Sequence, residues 1–155
     1  MRSEGDGSAL LLPGEAAAEM EAGFREAYPR EGCCVLLGRA EGGRRVVERV
    51  VAARNRWSDR DDRYLVDPGT LRRLMEEEAE GGPRVLGFAH SHPDAEPVPS
   101  ETDRELAWPW YHYLIVPVRD GEVGPGRAWE LDPGSGAFRE RPLRVAPGDG
   151  RTGDG

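Results

Sequence analysis

Two of the chain's three histidines stand one residue apart in Gly87-Phe88-Ala89-His90-Ser91-His92-Pro93, and Ser100-Glu101-Thr102-Asp103 follows shortly after. Two imidazoles and one carboxylate are the donor set of an open catalytic zinc site, in which three protein ligands leave a fourth position for water. A strand alternates its side chains, so His90 and His92 in extended backbone face one way and Ser91 the other. That geometry suits two ligands on one metal. An incidental pair of surface or core histidines would look the same, because His-x-His alone is a weak pattern.

Ser100 and Asp103 also have two readings. Ser-x-x-acid ahead of a helix resembles a capping box, although Asp is shorter than the usual Glu at the third helical position. The readings are compatible. With Ser100 as N-cap, Asp103 sits on the first turn near the strand end that carries the histidines, and the Ser hydroxyl stays at the rim. Hydrolysis at such a site needs a base for the proton of the attacking water. Glu31 is the best candidate, since it precedes Gly32 and an apolar strand; an exposed loop Glu is the alternative. Spacing alone cannot bring Glu31 to His90.

The other reactive side chains are read as structural. Cys33 and Cys34 are adjacent, and neighbours in extended backbone point to opposite faces, which argues against a disulfide between them. Neither has an obvious thiolate-stabilising partner, so both are strand residues rather than nucleophiles. His112, in an aromatic and apolar strand, reads as a core or surface residue rather than a fourth ligand.

The elements that must position these groups form a mixed α/β domain with one central mixed sheet flanked by helices. Residues 9–12 read as a short edge strand. Residues 15–27 read as a helix that offers Ala18, Met20, Phe24 and Ala27 to one face and ends at Pro29. Residues 33–37 are a buried strand, and 44–53 a second strand bent at Glu48. A charged loop spans 54–63. Asp67 caps a helix with Pro68 at its first position, running to about Glu80 and stopping at Gly81-Gly82-Pro83. Residues 84–90 lead as a strand into the histidines. A short helix runs from Ser100 to about Trp108, before Pro109, and residues 111–118 are a buried strand. Residues 126–132 and 137–145 read as a closing hairpin around Pro133-Gly134-Ser135-Gly136. Trp108, Trp110 and Tyr111 fit either an interface or the core.

At 155 residues the chain suits one domain with a sizeable core. Gly and Pro concentrate at the ends, so residues 1–8 and 147–155 are expected to be disordered tails around a folded unit of 9–146. The net charge is −8, and the chain has no Lys. Acidity argues against nucleic acid as a partner. The apolar run at 9–12 is too short for a secretory segment, and none approaches a membrane span, so a cytoplasmic protein is the default expectation.

Taken together, Glu31-Gly32-Cys33-Cys34-Val35-Leu36-Leu37-Gly38, His90-Ser91-His92-Pro93 and Ser100-Glu101-Thr102-Asp103 resemble the JAMM (MPN-domain) metallopeptidases, especially their small bacterial members. The likeness runs from the helix at Glu15 to Val118, and more loosely to Val145. Asn55 and Val66-Asp67-Pro68 resemble the intervening segment of those relatives. One departure is Cys34, where they commonly carry Gly. The resemblance implies one zinc ion per chain held by His90, His92 and Asp103, Glu31 as general acid/base, and Ser100 stabilising the oxyanion. It also implies a peptidase or isopeptidase acting at the C-terminal Gly-Gly tail of a ubiquitin-like sulfur-carrier protein. Residues 54–63 and 94–99 would be lips of the substrate groove. The alternatives are a non-catalytic MPN interaction module, which should lack part of the ligand set, and a zinc peptidase for small peptides.

Overall fold

A computed structural model describes residues 9–53 and 66–146. Nine strands and three helices follow one another as β1 (Leu10–Leu12), α1 (Gly14–Ala27), β2 (Cys33–Glu41), β3 (Arg44–Ala53), α2 (Pro68–Ala79), β4 (Arg84–Pro93), α3 (Glu101–Leu106), β5 (His112–Arg119), β6 (Glu122–Val123), β7 (Arg127–Leu131), β8 (Phe138–Arg141) and β9 (Leu143–Val145). The expected tails, the charged loop at 54–63 and Asn55 lie outside the described residues.

The strands form one mixed sheet in the order β8-β7-β5-β4-β2-β3-β1-β9, with β6 paired to β5. The central pair β4 and β5 is parallel, whereas β2 runs antiparallel to both β3 and β4. A two-residue turn, Gly42 and Gly43, joins β2 to β3 with φ of 58° and 79°, left-handed values that Gly adopts without a Cβ penalty. Glu48 is the extra residue of a bulge: the register passes from Leu37 opposite Arg49 to Gly38 opposite Val47. The bend expected there is real.

Apolar residues alternate between the two faces of the sheet. On one face Leu10, Leu12, Cys34, Leu36, Val47, Leu86, Ala89, Leu114 and Val116 pack under α1; on the other Val35, Leu37, Val85, Phe88 and Tyr113 pack with Leu74 of α2. Met20 and Phe24 of α1 are buried as expected, but Ala16 and Ala17 complete that face and Ala18 is exposed. Ala18 stands two residues, about 200° of helical rotation, from Met20, and so points to solvent. Asp67 caps α2 by accepting the Thr70 N–H at 3.1 Å, with Pro68 in the first turn.

Three other expectations need correction. α3 ends at Leu106, because Trp108 precedes Pro109 and residues before proline are driven from helical backbone. The closing hairpin holds only for β7 and β8; after Pro142 the chain leaves it, and β9 pairs in parallel with β1. Consequently β1 is no edge strand, since β3 and β9 flank it. β8 and β9 end opposite sides of the strand order although only Pro142 separates them, so the sheet curls until its two ends meet. Arg45 of β3 crosses that interior to within 3.8 Å of Glu130 on β7, which also accepts Arg141 Nε at 3.0 Å.

The parallel contact between β4 and β5 leaves no room for a side chain at Gly87, where an added Cβ would stand 2.0 Å from the His112 carbonyl oxygen. Gly87→Ala must therefore part the two strands three residues before His90. We expect a loss of about 1–3 kcal/mol in folding free energy, read as a lower urea midpoint with unchanged slope.

Candidate metal centre and active site

β4 carries both histidines to its C-terminal end, and their rings share one face, with centroids 4.9 Å apart. Their Nε2 atoms are 3.1 Å apart. Asp103 arrives from the first turn of α3, placing Oδ1 3.3 Å from His90 Nε2 and Oδ2 3.2 Å from His92 Nε2. Two imidazole nitrogens and the two oxygens of one carboxylate thus close on one another at 3.1–3.3 Å. Zinc–nitrogen bonds of 2.0–2.1 Å in a tetrahedron require ligand atoms roughly 3.3 Å apart, so this spacing fits a zinc-sized cation. The group can hold a metal ion.

Local electrostatics also favour a cation there. His92 Nδ1 lies 2.9 Å from the Glu96 carbonyl oxygen, which can only accept; the ring proton therefore sits on Nδ1, and Nε2 turns a lone pair toward the group. Burial alone pulls the His92 imidazole down, but Asp103, the Glu96 carbonyl and the Glu31 charge more than reverse this, and its pKa is raised. Wholly buried His90 is lowered by desolvation. Burial works to raise the Asp103 carboxyl, yet the two imidazoles and the Ser100 N–H hold it well below the usual carboxylate range. An ionised, largely buried carboxylate thus faces two imidazole nitrogens.

The capping box and the ligand geometry coexist on Ser100 and Asp103. Ser100 Oγ accepts the Asp103 N–H at 3.0 Å, and Asp103 Oδ2 accepts the Ser100 N–H at 2.9 Å while facing His92. The shorter Asp side chain still closes the box. The exposed Ser100 hydroxyl keeps its own proton for donation at the rim.

Glu31 reaches the site through strand pairing. Cys33 stands opposite His90, and Ser91 N–H donates to the Gly32 carbonyl at 3.1 Å. Continuing that antiparallel register sets Glu31 opposite His92 and on the same face. Its side chain is buried, and its charge is felt by both His92 and Cys33. Sixty residues of separation are thus bridged by the pairing of β2 with β4, at whose end the Glu31 loop begins.

His112 is buried at the far end of β5, 3.9 Å from Glu130, away from His90, His92 and Asp103. Trp108 and Trp110 are 52% and 71% exposed, whereas Tyr111 packs against the core. Three contacts around the site have no counterpart in the sequence reading. The Glu96 carbonyl orients His92, the Ser91 hydroxyl accepts the Gly32 N–H at 2.9 Å, and the Tyr28 hydroxyl donates to Asp94 at 2.7 Å. Only the second left a local signal, in a polar residue turned to the buried face between two histidines.

Cys33 and Cys34 are both buried and unpaired with each other. Desolvation pushes each thiol up to about 12, with the Glu31 charge adding to the effect on Cys33. Both are therefore neutral thiols at pH 7–8, and thiolates are what alkylating agents attack. The folded protein should resist iodoacetamide while the urea-unfolded chain is labelled twice, as intact mass spectrometry would show.

A curled mixed sheet that gathers two imidazoles and an aspartate able to hold a metal ion, beside a buried glutamate, defines a domain of the mixed α/β class with the side chains for hydrolytic chemistry. The chain belongs to the family described as prokaryotic homologs of the JAB domain, which matches residues 14–132. It is 40% identical over 118 residues to the desampylase of Haloferax volcanii, covering 76% of this chain and 79% of the relative. A probable TtuB-protein conjugate cleaving protease of Thermus thermophilus is 31% identical over 103 residues, 66% of each chain. Among solved structures, a protein from Desulfitobacterium hafniense superposes with a TM-score of 0.77 at 26% identity, covering 92% of this chain and 97% of that one. A JAB1/MPN domain protein from Archaeoglobus fulgidus gives 0.57 at 18% identity, over 87% and 97%, a likeness of fold. None of the described helices is long and apolar enough to cross a membrane.

Proposed function

We propose that this protein is a zinc-dependent isopeptidase that hydrolyses an amide at the C-terminal Gly-Gly tail of a ubiquitin-like sulfur-carrier protein. The convergence of His90, His92 and Asp103 at 3.1–3.3 Å, with the buried Glu31 charge acting on His92, carries this reading. The names of the two curated relatives, a desampylase and a conjugate-cleaving protease, support the substrate class.

His90, His92 and Asp103 would hold the zinc, one ion per chain. A bound zinc ion would supply a polarised water, with its pKa lowered toward ~7, and a Lewis acid beside the scissile carbonyl. Glu31 takes the proton of the attacking water and returns it to the leaving amine. Burial keeps that carboxylate out of competition with bulk water. Ser100 donates its hydroxyl to the tetrahedral oxyanion, a class of contact worth about 3–4 kcal/mol. No thiol takes part, consistent with the neutral Cys33 and Cys34.

The loop before α3 is firm enough to serve as one lip of the tail's groove. Trp129 Nε1 donates to the Pro97 carbonyl at 3.1 Å, and Arg119 pairs with Glu96 at 2.8 Å. The functional unit on this reading is residues 9–146, in the cytoplasm, where free thiols persist.

Metal analysis together with cleavage of a sulfur-carrier–peptide fusion tests the proposal. Stoichiometric zinc and chelator-sensitive release of the peptide after the Gly-Gly tail are expected. Full cleavage in the demetallated protein would overturn the mechanism. Zinc binding with no cleavage of any ubiquitin-like fusion would overturn the substrate.

A further inference from the structure

Glu31 belongs to neither α1 nor β2 but to the loop between them, and that loop is fastened to the histidine strand at two points. At the inner one, Gly32 N–H donates to Ser91 Oγ at 2.9 Å while Ser91 N–H donates back to the Gly32 carbonyl at 3.1 Å. At the outer one, the Tyr28 hydroxyl donates to Asp94 Oδ2 at 2.7 Å. Asp94 is itself anchored: Oδ1 accepts the Asp120 N–H at 3.0 Å, and its own N–H donates to the Val118 carbonyl at 2.7 Å. Ser91 and Asp94 lie on either side of His92, separated from it by nothing and by Pro93. We propose that Ser91 and Asp94 are positioning residues that hold the Glu31 loop in register with the metal ligands.

This inference rests on Glu31 being the general acid/base. A proton carrier must meet the attacking water and then the leaving amine, and displacements of about 1 Å can cost ~100-fold in rate. A carboxylate in mid-strand inherits its place from the ladder; one in a loop does not. Two features pack this loop closely against its neighbours. Gly32 is pressed against α1, since a Cβ there would stand 3.1 Å from both Ala27 Cβ and Phe24 Cδ1. Ser91 is 1% exposed, so no bulk water competes for its hydroxyl. The Tyr28–Asp94 bond is exposed and is the weaker fastening.

Ser91 points to the sheet face opposite His90 and His92, touching neither the metal group nor the substrate side. Its hydrogen bonds to Gly32 act on the neighbouring Glu31, and zinc content reports any effect on the adjacent ligands. The test compares Ser91→Ala and Tyr28→Phe, each alone and combined with Glu31→Gln. The readouts are kcat, KM, zinc content and amide hydrogen exchange at Gly32. Ser91→Ala should lower kcat roughly 10- to 100-fold and leave KM and zinc content as in wild type. Tyr28→Phe should lower kcat about 2- to 10-fold, the net worth of one hydrogen bond. Exchange at Gly32 should quicken in Ser91→Ala. Neither substitution should reduce the residual rate of Glu31→Gln any further. Wild-type kcat in Ser91→Ala despite faster Gly32 exchange would overturn the inference, as would zinc loss in step with the rate or an undiminished loss in the Glu31→Gln background. Wild-type turnover in Glu31→Gln alone would instead remove the acid/base reading of Glu31.

Discussion

Glu31→Gln should keep about one zinc per chain and lose turnover by roughly 10²- to 10⁴-fold, the range for removal of a general acid/base. The substitution preserves shape and burial and removes only proton affinity, because an amide does not take up a proton near neutral pH. Metal content should survive, since the donor group His90, His92 and Asp103 is complete without Glu31. Loss of the Glu31 charge does alter its neighbours, as that charge helps raise His92. A lower proton affinity at His92 leaves its Nε2 at least as available to a cation. Metal analysis beside single-turnover kinetics on one preparation separates the two effects. A Gln variant with wild-type turnover would remove the acid/base role.

Asp103→Ala should abolish stoichiometric zinc and, with it, zinc-dependent stabilisation. Groups that merely orient a ligand cost about 10- to 100-fold in metal affinity when changed, so loss of a ligand should exceed that. The variant keeps both imidazoles but loses the carboxylate that faces their Nε2 atoms. In wild type, free zinc at about 100 times its dissociation constant should stabilise the fold by ~2.7 kcal/mol. Thermal melting with and without zinc should therefore show a shift in wild type that is absent in Asp103→Ala. Asp103 also closes the capping box of α3, and Ser100→Ala controls for that. It breaks the same cap, at about 1 kcal/mol, but leaves the ligand set whole and should retain the zinc-dependent shift. If Asp103→Ala keeps that shift, the carboxylate is not a ligand.

The helices and most strands are legible in the chain because their signals are local. Asp67-Pro68 caps α2 where capping chemistry expects it, and Pro29 stops α1. Misreadings fall where a distant partner decides. Nothing near Leu143 says that β9 will desert the hairpin for β1, because the deciding hydrogen bonds come from residues 10–12. Ala18 looks as apolar as Ala17, and only the direction of the sheet under α1 separates them. Trp108 and Trp110 prove exposed, beyond a helix that ends at Leu106 ahead of Pro109.

The same division runs through the site. By itself the sequence determined which side chains are available and that His90 and His92 share a face, because strand alternation is a property of the backbone. It also placed Asp103 one helical turn beyond its cap, since a capping box needs only four consecutive residues. Tertiary structure alone decided that Asp103 closes on the histidines to 3.2–3.3 Å and that Cys33 pairs with His90, which brings the Glu31 charge to bear on His92. It also decided that Ser91 and Asp94 fasten the Glu31 loop. Those contacts join residues 11 to 66 positions apart. They are set by the pairing of β2 with β4 and by the docking of α1, terms that no short window of sequence contains.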